Sequence, residues 1–452
     1  MKRLLALFMT MIVTVTLFAG CTKNGDSSGG TTGAVTESEK STESAGKAKS
    51  DVTLTYMASQ DWIYDSEYTL AENFEKETGI KLDFQVVPAD QYSNLLLTKL
   101  NTGECTDIFG NQSGKFDLIS QLNIEKNAAD LSNEPWVERF DKFSAAELSA
   151  NGKLYGVTIY DNTTDFYVVY NRKLFDKLSL KAPTTYNEFK SVCEAIKAAG
   201  TIPVYECISE GWHHVMWFCE IGERYNEINP GLIDKLNSNQ ATFAETKSFA
   251  DNISQIAEMA KLGYWGDNYM SNTYADLPKA LNEGKYAMTL GKPGTINEIV
   301  AYDPNNCTAD DFGLFLIPLN DNQILNVHPA AASKFIYSGS QHIGEAKQYF
   351  DYLCRQENLQ FIIDNEPRYE NLPFSGLNAK YSDYTKEFMA KHKKQGVVLQ
   401  DQVKYLNPQW YDIGKDIAAV LTGTMTPEDA VKNIDKRRTD QAEANKDAAW
   451  VK

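Results

Sequence analysis

Gln60, Asp61 and Trp62, followed closely by Tyr64, set an indole and a phenol among short hydrogen-bonding side chains. Glu210, Trp212 and His213 repeat the combination, and Asn111-Gln112 offers two adjacent amides. The chemistry open to such clusters is non-covalent recognition. An aromatic face packs on the C–H face of a ligand, while amides and carboxylates pair with polar groups that would be costly to bury alone. A pyranose presents both surfaces. Trp217 lies in an apolar run and is assigned to the core. Catalytic patterns fare worse: the five histidines include the adjacent His213 and His214, which point in different directions, and the chain has no HExxH, GxSxG, P-loop or GxGxxG. A carboxylate pair for glycoside hydrolysis could be drawn from anywhere among 61 acids, so sequence leaves that reading open. Asp303, Asn305, Asp310 and Asp311 lack EF-hand spacing, and no metal or cofactor is expected.

The elements that would position these residues alternate. The segment 52–57 reads as a strand, 67–78 as an amphipathic helix stopped by Gly79, 80–87 as a second strand, 92–100 as a helix, 106–109 as a short buried strand and 116–122 as a helix. This order implies a mostly parallel, helix-covered sheet whose ligands gather at the carboxyl ends of the strands, where Gln60–Trp62 and Asn111-Gln112 fall. Helices follow over 186–199, 243–262 and 274–283, strands over 286–290 and 312–317, and helices over 344–355, 413–422 and 427–449. The last is opened by Thr426 with Pro427 at the first helical position.

The first 50 residues speak to location. Met1-Lys2-Arg3, an apolar stretch to Phe18 and Ala19-Gly20-Cys21 form an export signal, too short to span a bilayer. A cysteine after Ala-Gly resembles the bacterial lipobox, in which the thiol receives a diacylglycerol, and two acyl chains hold a protein on a membrane. Residues 22–50 are almost all Ser, Thr, Gly, Ala, Lys and Glu and read as a flexible tether. The remaining stretch exceeds the size at which single cores split, so two lobes are expected. A formal net charge of -17 disfavours nucleic acid and anionic membrane as partners. Of the cysteines beyond Cys21, Cys207 and Cys219 are the first pair to test for a disulfide.

Six local patterns occur in order: Thr106-Asp107-Ile108, Asn151–Val157, Tyr170–Phe175, Pro183–Phe189, Leu281–Met288 and Gly423–Ala430. Together they resemble the extracellular solute-binding lipoproteins of ABC sugar importers, the maltose-binding-protein-like group. The resemblance implies an α/β fold of two lobes joined by three crossings, near 157–162, 289–291 and 330–333, that close by hinge motion. It assigns 51–160 plus 291–332 to one lobe and 161–290 plus 333–452 to the other. It also places Tyr160 and Asp161 in the first crossing, Lys292 just past the second, and Arg368, Tyr369, Glu370 and Trp410 where such proteins carry sugar platforms. The implied role is a monomeric, non-enzymatic receptor, lipid-anchored on the outer face of the cell membrane, that delivers a carbohydrate to membrane permease subunits. A surface glycan-active enzyme and a receptor for a non-sugar solute stay open as alternatives.

Cys21→Ser removes the thiol that would take the lipid. The variant is expected in the soluble fraction of cells in which the wild type sediments with membranes; a variant that still sediments would show a different anchor.

Overall fold

Alternating burial along Thr53–Ser59, with Leu54 and Tyr56 inward and Thr53 and Thr55 less covered, gives way to continuous burial from Met57 to Ser59. A strand covered on both faces needs helices on each side, and the chain supplies them. The computed structural model describes residues 50–451 except 61, 113 and 393, so Cys21, the tether through residue 49 and Asp61 lie outside the described residues. Thr53–Ser59 lies between Lys81–Val87 and Ile108–Gln112, parallel to both. The sheet is completed by Ala332–Ile336, antiparallel to Ile108–Gln112 on one side and to Gly156–Thr158 on the other.

A second sheet has the order Phe312–Phe315, Tyr167–Asn171, Tyr286–Gly291, Ile202–Tyr205, with only the last pair parallel. Each sheet has its own apolar core, so the molecule is an α/β protein of two lobes. Local signals hold where they are strongest. Asp65–Thr78 ends at Gly79 with φ 83°, a left-handed turn that glycine adopts without a Cβ penalty. Thr185 Oγ1 accepts from Glu188 N at 3.2 Å to open Tyr186–Ala198, while the Glu188 carboxylate reaches back to Thr184 N at 2.7 Å. Thr426 caps Pro427–Ala444 through Asp429 N at 3.1 Å.

Two expectations need correction. The segment 291–332 does not join the first lobe: Phe312–Phe315 pairs with Tyr167–Asn171, and Ile296, Ile299, Leu316 and Leu325 lie in the second lobe's cores. Conversely, Ile343–Leu353 and Gln356–Asn365 pack into the first core through Tyr349, Phe350, Leu359 and Ile362. The chain therefore crosses near 160–166, again over 327–332, and a third time between Leu377 and Tyr384; Tyr286–Gly291 stays inside the second sheet. Burial periodicity identifies helices and strands, but it cannot say which of two apolar cores they join. Cys207 and Cys219, the first pair to test for a disulfide, are buried free thiols, as are Cys193, Cys307 and Cys354. Among the described residues no helix is long and apolar enough to cross a membrane.

The inserted strand carries a buried charge. Lys334 Nζ donates to Glu67 Oε2 and to Tyr56 OH, each at 3.0 Å, and Tyr349 OH donates to Glu67 Oε1 at 3.2 Å. Lys334→Met strips Glu67 of its cation and is expected to cost ~3–5 kcal/mol, because a carboxylate left alone in a core keeps its full desolvation penalty. Urea unfolding of the two proteins measures the difference.

Candidate functional site

The carboxyl ends of Thr53–Ser59 and Ile108–Gln112 open onto a cleft of about 260 Å³ between the two lobes. Gln60, Trp62, Tyr64, Asn111, Gln112, Tyr160, Asp161, Trp212, Lys292, Arg368, Tyr369 and Trp410 all line it. A second hollow of about 510 Å³ adjoins, sharing Gln60, Asp90, Trp212 and Tyr411 with the first.

The aromatic walls are held edge to face. Trp62 leans on Tyr92 with ring centroids 5.2 Å apart, and Gly110 makes room for it: a Cβ there would lie 3.1 Å from the indole. Tyr369 packs between Tyr64 and Tyr160, at 5.3 and 5.4 Å. Arg368 lies over the Tyr64 ring at 4.4 Å, donates to its hydroxyl at 3.0 Å and pairs with Glu298 at 2.9 Å. On the opposite wall Trp212 packs at a tilt against Tyr274, ring centroids 5.0 Å apart, and Trp410 Nε1 donates to Trp212 O at 3.3 Å. The helix Pro293–Tyr302 presses on the Arg368 backbone so closely that a Cβ at Gly294 would sit 2.1 Å from Arg368 O, so only glycine fits.

Several expected contacts have other duties. Asp161 faces the cleft, but its carboxylate accepts from Thr163 N at 2.9 Å, Thr163 Oγ1 at 2.7 Å, Thr164 Oγ1 at 3.1 Å and Tyr381 OH at 3.0 Å, which ties the first crossing to the third. Glu210 stands behind Trp212, lining only the second hollow, and accepts from the indole Nε1 at 3.1 Å and from Tyr274 N at 3.3 Å. His213 is fully buried: Nδ1 meets Glu206 Oε1 at 2.6 Å and Nε2 meets Leu290 O at 3.3 Å, so both nitrogens face acceptors. Burial opposes a charge on the ring, but Cys207 and Glu206 hold the pKa well above its ordinary value. Glu370 is buried beneath the cleft wall beside Asn297, and burial lifts its pKa to about 7. His213 and Glu370 thus support the walls rather than line them.

Residues that the sequence analysis did not single out complete the floor. Asp165, Phe166, Glu220, Tyr274, His328, Gln400 and Asn407 all face the cleft. Lys292 Nζ lies 3.4 Å from Asp165 Oδ1, above the Tyr160 ring at 4.5 Å and the Phe166 ring at 5.7 Å. His328, in the second crossing, pairs through Nδ1 with Asp401 and through Nε2 with the Gln112 amide at 3.1 Å. Burial lowers the His328 pKa but Asp401 outweighs it, for a net rise, while burial pushes Asp401 up to about 6. Asn407 donates across the lobes to Asp117 Oδ2 at 2.8 Å and to Gln112 O at 3.2 Å. Burial lifts Asp117 to about 7. Only Glu220 left a trace in the sequence, as one acid in the apolar run Val215–Ile221.

Residues 69–364 match the model of the bacterial extracellular solute-binding proteins, and the chain belongs to that family. The multiple sugar-binding protein of Streptococcus mutans is 22% identical over 333 residues, 72% of this chain and 76% of its own length. The melibiose/raffinose/stachyose-binding protein MelE of Bacillus subtilis is 21% identical over 455 residues, 98% of each chain. Among solved structures, a chitin oligosaccharide binding protein superposes with a TM-score of 0.72 at 19% identity, over 88% of this chain and all (100%) of its own. A sugar transporter protein of Bacillus licheniformis in complex with stachyose gives 0.71 at 19% identity, over 86% of this chain and 100% of its own.

Glu210 holds both members of the tilted Trp212–Tyr274 pair. Glu210→Ala is expected to weaken solute binding about fivefold to tenfold, the loss of roughly 1 kcal/mol of hydrogen bonding. Glu210→Gln, which keeps an acceptor oxygen, is expected to lose less. Fluorescence titration of the tryptophans measures both.

Proposed function

We propose that this extracellular solute-binding protein captures a neutral saccharide, of oligosaccharide length, in the interlobe cleft and delivers it to the permease of an ABC importer. The observation that carries the reading is the composition of the cleft walls. Rings from Trp62, Tyr64, Trp212, Tyr274 and Trp410 stand among the amides of Asn111, Gln112, Gln400 and Asn407, which supplies stacking faces and hydroxyl partners together. Every lysine and arginine lining the cleft among the described residues stands beside an acid: Lys292 by Asp165, Arg368 by Glu298 and Lys415 by Asp412. A site so balanced has no spare cation for a carboxylate or phosphate ligand. Relatives named for melibiose, raffinose, stachyose and chitin oligosaccharide binding support the same class.

The role is binding rather than turnover. The three crossings, of which Asp161 ties the first to the third through Tyr381, form the hinge on which the lobes close. Cys21 takes the lipid, and the polar tether behind it lets the lobes reach solute and then dock on the permease.

Thermal unfolding in the presence of raffinose, stachyose and chitin oligosaccharides tests the class: a ligand of the native state raises Tm, and a uronic-acid oligosaccharide of equal length raises it less. Trp62→Ala and Trp212→Ala are each expected to weaken the best of these ligands tenfold to a hundredfold, about 1–3 kcal/mol for a lost aromatic platform, while the unliganded Tm stays within a few degrees. Calorimetric titration checks the affinities. Wild-type affinity in both variants would remove these residues from the site.

A further inference from the structure

Resting on the saccharide reading for its ligand, we propose that Glu220 stays protonated and donates a hydrogen bond to Asp165, and that this pair positions the Lys292 ammonium at the floor of the cleft. The inference starts from hydrogen bonds that fail to close. Asp165 and Glu220 are 2% and 3% exposed and face each other within hydrogen-bonding reach, yet Asp165 Oδ2 and Glu220 Oε2 each lack a donor. Two carboxylates cannot bond to one another. A carboxylic acid and a carboxylate can, so one proton satisfies both atoms.

The remaining oxygens agree. Asp165 Oδ1 accepts from Phe166 N at 3.0 Å and faces Lys292 at 3.4 Å, and Glu220 Oε1 accepts from Gln400 Nε2 at 3.2 Å. Two buried charges against one ammonium would leave a net negative charge in a dry site; with the proton in place, Asp165 and Lys292 balance. Among the described residues the other titratable groups around the pair are Cys219, next to Glu220, Tyr160 and Tyr167, which flank Asp165 in the chain, and His328 with Asp401, already closed on each other. Burial, and then Asp165, raise the Glu220 pKa well above the ordinary carboxylate value.

Once the proton is placed, Lys292 Nζ still lacks a hydrogen-bond acceptor and Gln400 Oε1 still lacks a donor. Both residues line the cleft. A ligand hydroxyl both donates and accepts, so a hydroxyl, or a vicinal pair, would complete this floor. Glu220 is a positioning residue: it acts through Asp165 and Lys292.

Glu220→Gln reproduces the protonated acid, since its amide N–H can donate to Asp165 and its oxygen can accept from Gln400. Thermal unfolding without ligand from pH 4.5 to 8.5 reads the proton directly. Below the unfolded-state pKa of about 4.3, both states hold the proton. Above it only the folded state does, so wild-type stability falls as pH rises toward the raised folded-state pKa and levels off beyond it. The Tm of the Glu220→Gln protein is expected to climb relative to wild type across that range, by on the order of 2 °C or more. In calorimetric titrations with raffinose, wild-type Kd is expected to rise about tenfold per pH unit above the folded-state pKa. Glu220→Gln is expected to show a flat profile, and Glu220→Ala to bind about tenfold more weakly throughout. Parallel Tm curves for wild type and Glu220→Gln would overturn the shared proton, whatever the ligand. The expected Tm divergence with no saccharide bound at any pH would support the proton pair and remove the saccharide reading instead.

Discussion

The antiparallel insertion of Ala332–Ile336 between Ile108–Gln112 and Gly156–Thr158 is the constraint on which the rest of the structure depends. The strand enters the first sheet directly from the second lobe, and the chain later returns to the second lobe's cores through Phe388, Leu399 and Ile413. It brings Lys334 under the sheet against Glu67, and the segment before it sets His328 between Gln112 and Asp401. The pairing joins residues far apart in sequence, and their closure entropy must be met before the sheet rewards it. Two lobes tied in this way keep a cleft between them.

Inside that cleft electrostatics governs what is tolerated. Charges removed from water are stable only beside opposite charges and full sets of donors, and the walls meet this demand pair by pair. The aromatic rings perform two tasks under the same rule. Trp62 and Trp212 offer faces to the opening, while Tyr160 and Phe166 shield the Lys292 ammonium. A neutral ligand with hydroxyl edges fits such a surface better than an ion, which would upset the balance. The supporting layer of Glu210, Glu206 and His213 matters as much, because a stacking ring is useful only if its tilt is fixed.

The family, the alternation of elements and the aromatic and amide residues of the cleft were legible in the sequence because they rest on local rules. Periodicity placed the strands of the first sheet, caps at Thr185 and Thr426 placed two helix starts, and turns at strand ends placed Gln60, Trp62, Asn111 and Gln112 on the rim. The lobe boundaries were not legible. Phe312–Phe315 is equally apolar in either lobe, and only its pairing with Tyr167–Asn171 decides the matter. Nor was the division of labour between ligand-facing and supporting residues: Glu210 and Glu370 have the same side chain as Glu220 and differ in what stands in front of them. Sequence by itself determined the fold class, the solute-binding family and the types of side chain gathered at the cleft. Tertiary structure alone decided which acids face a cation, which share a proton and which brace an aromatic ring, because burial and distance to a charge depend on residues brought together from opposite ends of the chain.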